Sequence, residues 1–273
     1  MPDWATFAGF AGVVLALLLL LAHASKAAVS DDAVSRTDRP RPRPGSVDPA
    51  VAEVHVSLSN RVVDPPTSDD PADGTRATPQ LSTMALLANV AVSQGAFGLL
   101  LLAGAWFTQI PTAAFGVSEP VLSASTLGVG VLLGTALYVA NEVGASVGDR
   151  LGVGADEGLR EALAPDTIGG WAVLLLLVLP VIAGFEELLF RGVLVGVFSV
   201  GFGVSPWLLA GLSSVAFALG HGAQGPAGVV VTGVLGFVLA AAFVLTGSLL
   251  VVVVAHYLVN ALEFLVHEGV GVD

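Results

Sequence analysis

The chain lacks cysteine and is poor in lysine and in charge. Only 12% of its 273 residues are charged, and its one lysine is Lys26. The absence of cysteine excludes disulfides, thiolate catalysis and zinc sites built on cysteine. Ten Lys and Arg stand against 22 Asp and Glu. This acidic balance argues against nucleic acid as a partner.

Apolar residues are present in excess. They make up 55% of the chain, and the mean hydropathy is +0.86. A soluble domain does not need so much apolar surface, so the composition predicts a multi-pass protein of the cell membrane, with the lipid bilayer as its surroundings. The acidic, lysine-poor surface also suits a halophilic host, because high salt screens the repulsion between like charges.

The chain divides into four predicted parts by composition. An apolar N-terminal anchor is expected first, then a disordered linker rich in Pro, Asp and Arg, then accessory helices, and last the part that carries the polar motifs. The boundaries are residues 1–23, 24–83, 84–165 and 166–273. Ala22-His23-Ala24 also resembles a signal-peptidase site, but no Lys or Arg precedes the apolar run, which favours a retained anchor.

Seven of the ten Lys and Arg lie in the linker. Positive charge is enriched in cytoplasmic loops, so the linker is predicted to be cytoplasmic. Within it, Val51–Val63 alternates enough to suggest a short strand or hairpin arm. Further apolar runs then predict seven transmembrane helices, or eight if the long run at 171–199 is broken at Pro180 or Gly184. Gly130-x-x-x-Gly134 and Gly192-x-x-x-Gly196 allow close helix contacts.

The long run carries the first polar motif, Glu186-Glu187-Leu188-Leu189-Phe190-Arg191-Gly192. Ionisable groups inside a span are costly and mark function by default. Glu187 and Arg191 are four residues apart on one helical face, which predicts a buried ion pair. Glu186 points about 100° away and is left to face the bundle interior as a general base. The alternative is two acids paired with an arginine for packing only.

Two further motifs repeat the spacing of four residues. Phe217 and His221 lie near the end of one apolar run, where the phenyl ring can hold the imidazole in place. His256 and Asn260 lie deep in the last run, and their side chains can donate hydrogen bonds to an oxyanion. An interfacial His221 and a structural hydrogen bond by Asn260 are the alternatives.

The remaining ionisable residues receive lesser roles. Glu142 is the most plausible additional carboxylate within the membrane. His23, His55 and His267 are expected to be incidental, and Glu263 and Glu268 interfacial.

Together the three motifs resemble the CPBP intramembrane protease family, which includes the type II CAAX prenyl endopeptidases and the Abi-type immunity proteins. The resemblance covers about residues 170–266. It implies an all-α membrane fold with a four-helix catalytic core, in which Glu186 and His221 activate water and His256 and Asn260 stabilise the oxyanion. Glu187 and Arg191 belong to the same site, and Phe190 and Phe217 support it.

The resemblance leaves the cofactor and the substrate open. Family members are described both as metalloproteases and as metal-free glutamate-type proteases; a zinc ion would be held by Glu186, His221 and His256. The substrate is expected to be a membrane-associated peptide or protein, with CAAX-type C-terminal processing as one form. Buried Glu, His and Arg also mark proton-coupled transporters, and a scaffold or immunity factor with little turnover is a further alternative.

Overall fold

A computed structural model describes residues 1–37, 82–117, 122–150 and 158–270. These residues form helices joined by short connections, and they contain no strand, which confirms the all-α prediction. Most of the 24–83 linker, including Val51–Val63, lies outside them. The helices are α1 (Trp4–Thr37), α2 (Thr83–Phe107), α3 (Ala124–Arg150), α4 (Gly158–Leu163), α5 (Ile168–Phe202), α6 (Pro206–Gly220), α7 (Gly225–Thr246) and α8 (Leu249–Val270).

Six of these helices are long and apolar enough to cross a membrane, so the chain is a multi-pass membrane protein. They are α1, α2, α3, α5, α7 and α8. The seventh apolar helix, α6, has 15 residues and spans roughly 22 Å at 1.5 Å per residue, less than the hydrocarbon core. The expected count of seven included α6, so six candidate spans remain among the described residues.

The long apolar run forms one helix, α5, without a break at Pro180 or Gly184. Its hydrogen-bonding pattern changes along its length, with π-helical turns at Leu174–Val178 and Leu188–Val197. The second π-helical stretch begins directly after Glu187. Such turns are rare and often lie at functional sites, because they rotate the side chains that follow them.

The N-terminal helix is part of the packed core. Met1–Ala27 groups with Leu81–Asp273 in one compact unit. Phe7, Ala11 and Val14 of α1 are buried in the same apolar cluster as Phe190 and Phe217. Helix α1 continues to Thr37, past residue 23, where the anchor was expected to end.

Close packing of α3 against α8 sets the position of the last helix. A Cβ atom on Gly130 would lie 3.0 Å from the Val251 carbonyl oxygen, and one on Gly134 would lie 2.8 Å from that of Ala255. Side chains at these positions would therefore push the two backbones apart. The predicted close contact of Gly130 and Gly134 is confirmed, and it includes Ala255, the residue before His256.

Candidate active site

The first motif forms the predicted buried ion pair. Arg191 Nη1 donates to Glu187 Oε1 at 2.7 Å, and both side chains are 0% exposed. Arg191 Nη2 donates to the backbone carbonyl of Gly236 in α7 at 2.8 Å. The guanidinium therefore joins α5 to α7. A Cβ on Gly236 would lie 3.4 Å from Arg191 Nη2 and 3.0 Å from the Phe217 ring, so this contact favours glycine.

His256 lies against both adjacent glutamates. Its Nδ1 donates to Glu187 Oε1 at 2.7 Å, and its Nε2 lies 3.7 Å from Glu186 Oε2. Glu186 and His256 are 8% and 4% exposed. The contact between Glu187 and His256 was not predicted from the sequence, which assigned Glu187 to Arg191 alone. One carboxylate oxygen therefore accepts hydrogen bonds from two helices.

Phe217 lies at the centre of these groups. The Arg191 guanidinium carbon is 4.7 Å from the centre of the Phe217 ring, a cation–π distance. The rings of His221, His256 and Phe190 have their centres 4.5, 6.0 and 4.9 Å from it. The prediction that Phe217 packs beside the imidazole of His221 is confirmed. The ring also covers the buried cation.

The tautomer of His221 follows from its hydrogen bond. His221 Nδ1 lies 2.9 Å from the carbonyl oxygen of Phe217, one turn earlier at the end of α6. A carbonyl oxygen only accepts, so Nδ1 carries the proton. Nε2 of a neutral ring is then an acceptor. It has no hydrogen-bond partner among the described residues, and the side chain is half-buried.

Asn260 stands one turn after His256 on the same face of α8. It is half-buried, and its side chain makes no hydrogen bond within the described ranges. The structural helix–helix bond considered as its alternative role is therefore not formed there. The N–H groups of its carboxamide therefore remain available, among the described residues, to donate hydrogen bonds.

Two polar atoms of the ion pair are buried without a partner in the part of the chain that the structure describes. They are Glu187 Oε2 and Arg191 Nε. A buried polar atom without a partner costs about 1–3 kcal/mol, more when it is charged. The pair is thus not arranged for stability alone.

A zinc ion at Glu186, His221 and His256 would need ligand atoms of all three side chains to lie close together. Within the described ranges, three ligand atoms come within 4.8 Å of one another in one group, Glu142, Glu263 and His267. Glu186, His221 and His256 do not form such a group. The residues proposed to hold zinc therefore do not converge as zinc ligands must. The Nδ1 hydrogen bonds of the two histidines do not count against a metal, because a metal-binding histidine commonly donates its other ring N–H to a protein oxygen.

Two supporting residues escaped the sequence analysis. Buried Ser213 on α6 donates to the Phe190 carbonyl oxygen at 2.6 Å, where the π-helical stretch of α5 leaves it accessible. Gly236 contributes a backbone oxygen, for which the sequence offers no signal. Ser213 could have been noticed, because a hydroxyl within an apolar helix usually bonds to a neighbouring helix.

A second polar group lies farther along α8, and it contains residues that were expected to be incidental or interfacial. His267 is not incidental, because its Nε2 lies 3.0 Å from Glu142 Oε1 and 3.3 Å from Glu263 Oε2. Arg160 of α4 contacts Glu263 and Glu268 at 3.4 and 3.0 Å. These residues form one network joining three helices.

Comparison with known families agrees with the motifs. Residues 168–262, about a third of the chain, match the family model described as type II CAAX prenyl endopeptidase Rce1-like. The match contains all three polar motifs and confirms the resemblance. At the level of the family, the match shows that this part of the chain is similar to CAAX-type intramembrane proteases. Neither the curated proteins nor the solved structures provide a match.

Proposed function

We propose that this membrane protein, whose residues 168–262 match a CAAX-type protease family, hydrolyses a peptide bond within or beside the bilayer by a glutamate-activated water. One observation carries the proposal: the two ring nitrogens of His256 face two adjacent carboxylates, at 2.7 Å from Glu187 and 3.7 Å from Glu186. A purely structural arginine–glutamate pair needs neither the histidine nor the second acid.

Glu186 is the proposed general base. It is the carboxylate of the pair that Arg191 does not bind, and it keeps a small exposed fraction. His221 Nε2 supplies a second acceptor, because its Nδ1 proton is committed to the Phe217 carbonyl. A water molecule between these two acceptors would be oriented by both and would lose a proton to Glu186.

His256 and Asn260 are the proposed oxyanion donors. Because Nδ1 donates to Glu187, His256 would donate to an oxyanion through Nε2–H, in the form that carries a proton on both ring nitrogens. Asn260 offers its amide from the same helical face. Donors held in a low-dielectric site contribute most when charge develops on the substrate oxygen.

Glu187 and Arg191 are proposed to position His256. Glu187 Oε1 fixes the imidazole through Nδ1, and Arg191 fixes Glu187 while bonding to α7. Phe190 and Phe217 pack around them. A histidine oriented by a carboxylate that is itself held by hydrogen bonds is a recurring catalytic arrangement.

The proposed steps balance. Glu186 accepts a proton from water as the hydroxide oxygen bonds to the scissile carbonyl carbon. The resulting oxyanion accepts hydrogen bonds from His256 and Asn260. The carbon–nitrogen bond then breaks, the carbonyl re-forms, and the leaving amine takes the proton from Glu186. No step requires a metal ion, in keeping with the donor set.

The substrate is proposed to be a membrane-associated protein that loses a C-terminal piece. Quantitative proteomics of membranes from cells carrying wild-type chain or Glu186→Ala tests this. We expect a small set of membrane proteins to be shortened at the C-terminus only with wild-type chain. Identical termini in both membranes, together with proton-coupled uptake into vesicles that requires Glu186, would favour a transporter instead.

A further inference from the structure

The polar network beyond Asn260 lies outside the family match and has no part in the chemistry proposed above. It consists of Asn141 and Glu142 on α3, Arg160 on α4, and Glu263, His267 and Glu268 on α8. We name it the outer network. The family match ends at residue 262, so none of these residues is assigned by it.

Glu263 is the centre of the outer network. It accepts hydrogen bonds from Asn141 Nδ2 and from Arg160 Nη1, the latter at 3.4 Å, and its Oε2 lies 3.3 Å from His267 Nε2. His267 in turn reaches Glu142 at 3.0 Å. Helix α8 is therefore joined to α3 by two contacts and to α4 by two, both of the latter through Arg160. Side-chain exposures of 18–33% leave these contacts partly shielded from solvent.

The outer network and the candidate active site occupy one stripe of α8. His256, Asn260, Glu263 and His267 follow one another at intervals of four, three and four residues, which keeps them on one side of a helix. His256 contacts Glu186 and Glu187, and the last two residues contact α3 and α4. A rotation or axial slip of α8 would move both halves together.

At the other end of the stripe, the packing of α8 against α3 leaves the rotation of α8 to be set elsewhere. Gly130 and Gly134 of α3 lie against the α8 backbone at Val251 and Ala255, and neither glycine has a side chain that could form a directional hydrogen bond. Such a contact sets the distance between α3 and α8 more strictly than the rotation of α8 about its axis. The outer network supplies the missing directional contacts.

We propose that the outer network is a positioning device that sets the rotation of α8, and thereby the placement of His256 and Asn260 toward Glu186. This inference rests on the proposed proteolysis. Asn141 and Glu142 are then positioning residues on a helix that contributes no catalytic group. Misplacement of about 1 Å can reduce turnover by up to roughly 10²-fold.

The test removes the α3 side of the device without changing α8. Asn141→Leu/Glu142→Leu should lower kcat roughly ten- to a hundredfold with KM changed less than about twofold, because the oxyanion donors act in the transition state. Glu142→Gln, which keeps an acceptor oxygen for His267, should retain most of the activity. Glu161→Leu is the matched control, because Glu161 is an exposed carboxylate on α4 outside the network.

A readout that does not depend on proteolysis separates failure of this inference from failure of the proposed function. The chain has no cysteine, so spin labels can be placed at Leu176 of α5 and Leu265 of α8, both exposed. The double leucine variant should shift or broaden the distance between the labels, and Glu161→Leu should not. An unchanged distance, or a kcat equal to wild type, would overturn the positioning role. A shifted distance in a chain that cleaves nothing would retain the mechanical link and reject the protease.

Discussion

Helix α8 contributes residues to two polar groups that have similar composition but differ in burial. The inner group, Glu186, Glu187, Arg191 and His256, is nearly inaccessible and held by contacts of 2.7 Å on Glu187. The outer network is partly exposed, and the N···O distances of its ion pairs are 3.0–3.4 Å. The same residue types are therefore found under different electrostatic conditions at two places along α8.

Burial decides what each group can do. In the interior, charges are weakly screened, so a misplaced or unmatched charge is costly and a well-placed one acts strongly on a substrate. Near solvent, an ion pair is screened and contributes little to stability, but its geometry still orients a helix. The inner group is suited to chemistry and the outer network to positioning.

The largest difference between the two groups should appear on removing one partner. Glu187→Ala leaves Arg191 buried with the Gly236 carbonyl and the Phe217 ring, at a cost of roughly 3–5 kcal/mol in stability. Arg191→Ala should cost less, since Glu187 keeps its bond from His256. Thermal melts in detergent measure both.

The double variant Glu187→Ala/Arg191→Ala provides the control for that prediction. It should be less unstable than the sum of the two single losses, because the charges are removed together. Additive losses would show that the pair is not coupled and would weaken the contrast with the outer network.

Parts of this arrangement were predictable and parts were not. The Glu187–Arg191 pair and the Phe217–His221 contact were predicted because the two members of each pair are four residues apart on one helical segment, where the spacing fixes the geometry. The Glu187–His256 bond joins residues 69 positions apart and depends on how two helices rotate, to which the π-helical turn after Glu187 contributes. The contacts of the outer network between helices join residues more than 100 positions apart, which the sequence does not bring together. Its Glu263–His267 contact has the spacing of four residues and could have been predicted.

The second prediction concerns the two adjacent acids within the inner group. Glu186→Gln should reduce turnover by at least ~10²-fold, the lower range for a lost general base, while melting like wild type. Glu187→Gln keeps an oxygen for both of its donors but loses the charge, so it should lower stability as well as activity. A peptide-cleavage assay with parallel melts compares them. A stable, inactive Glu187→Gln beside an unstable Glu186→Gln would reverse the roles.

A smaller effect is expected in the outer network. Arg160→Leu should cost about 1 kcal/mol or less, as partly exposed pairs usually do. That cost should shrink further between about 0.1 and 1 M salt, where the screening length falls from ~10 to ~3 Å. The cost of Glu187→Ala should change little over the same range. Equal salt dependence of the two would mean that solvent reaches the inner group as readily as the outer.

The smallest expected effect is that of metal removal. In the part of the chain that the structure describes, Glu186, His221 and His256 do not bring their ligand atoms within 4.8 Å of one another. Purified protein should therefore hold far less than one zinc per chain by elemental analysis, and chelators should leave cleavage unchanged. Glu186→Gln should carry the same trace metal as wild type, which controls for adventitious binding. Activity that disappears with a chelator and returns with zinc would require the inner donors to rearrange around a metal, and the metal-free steps would have to be abandoned.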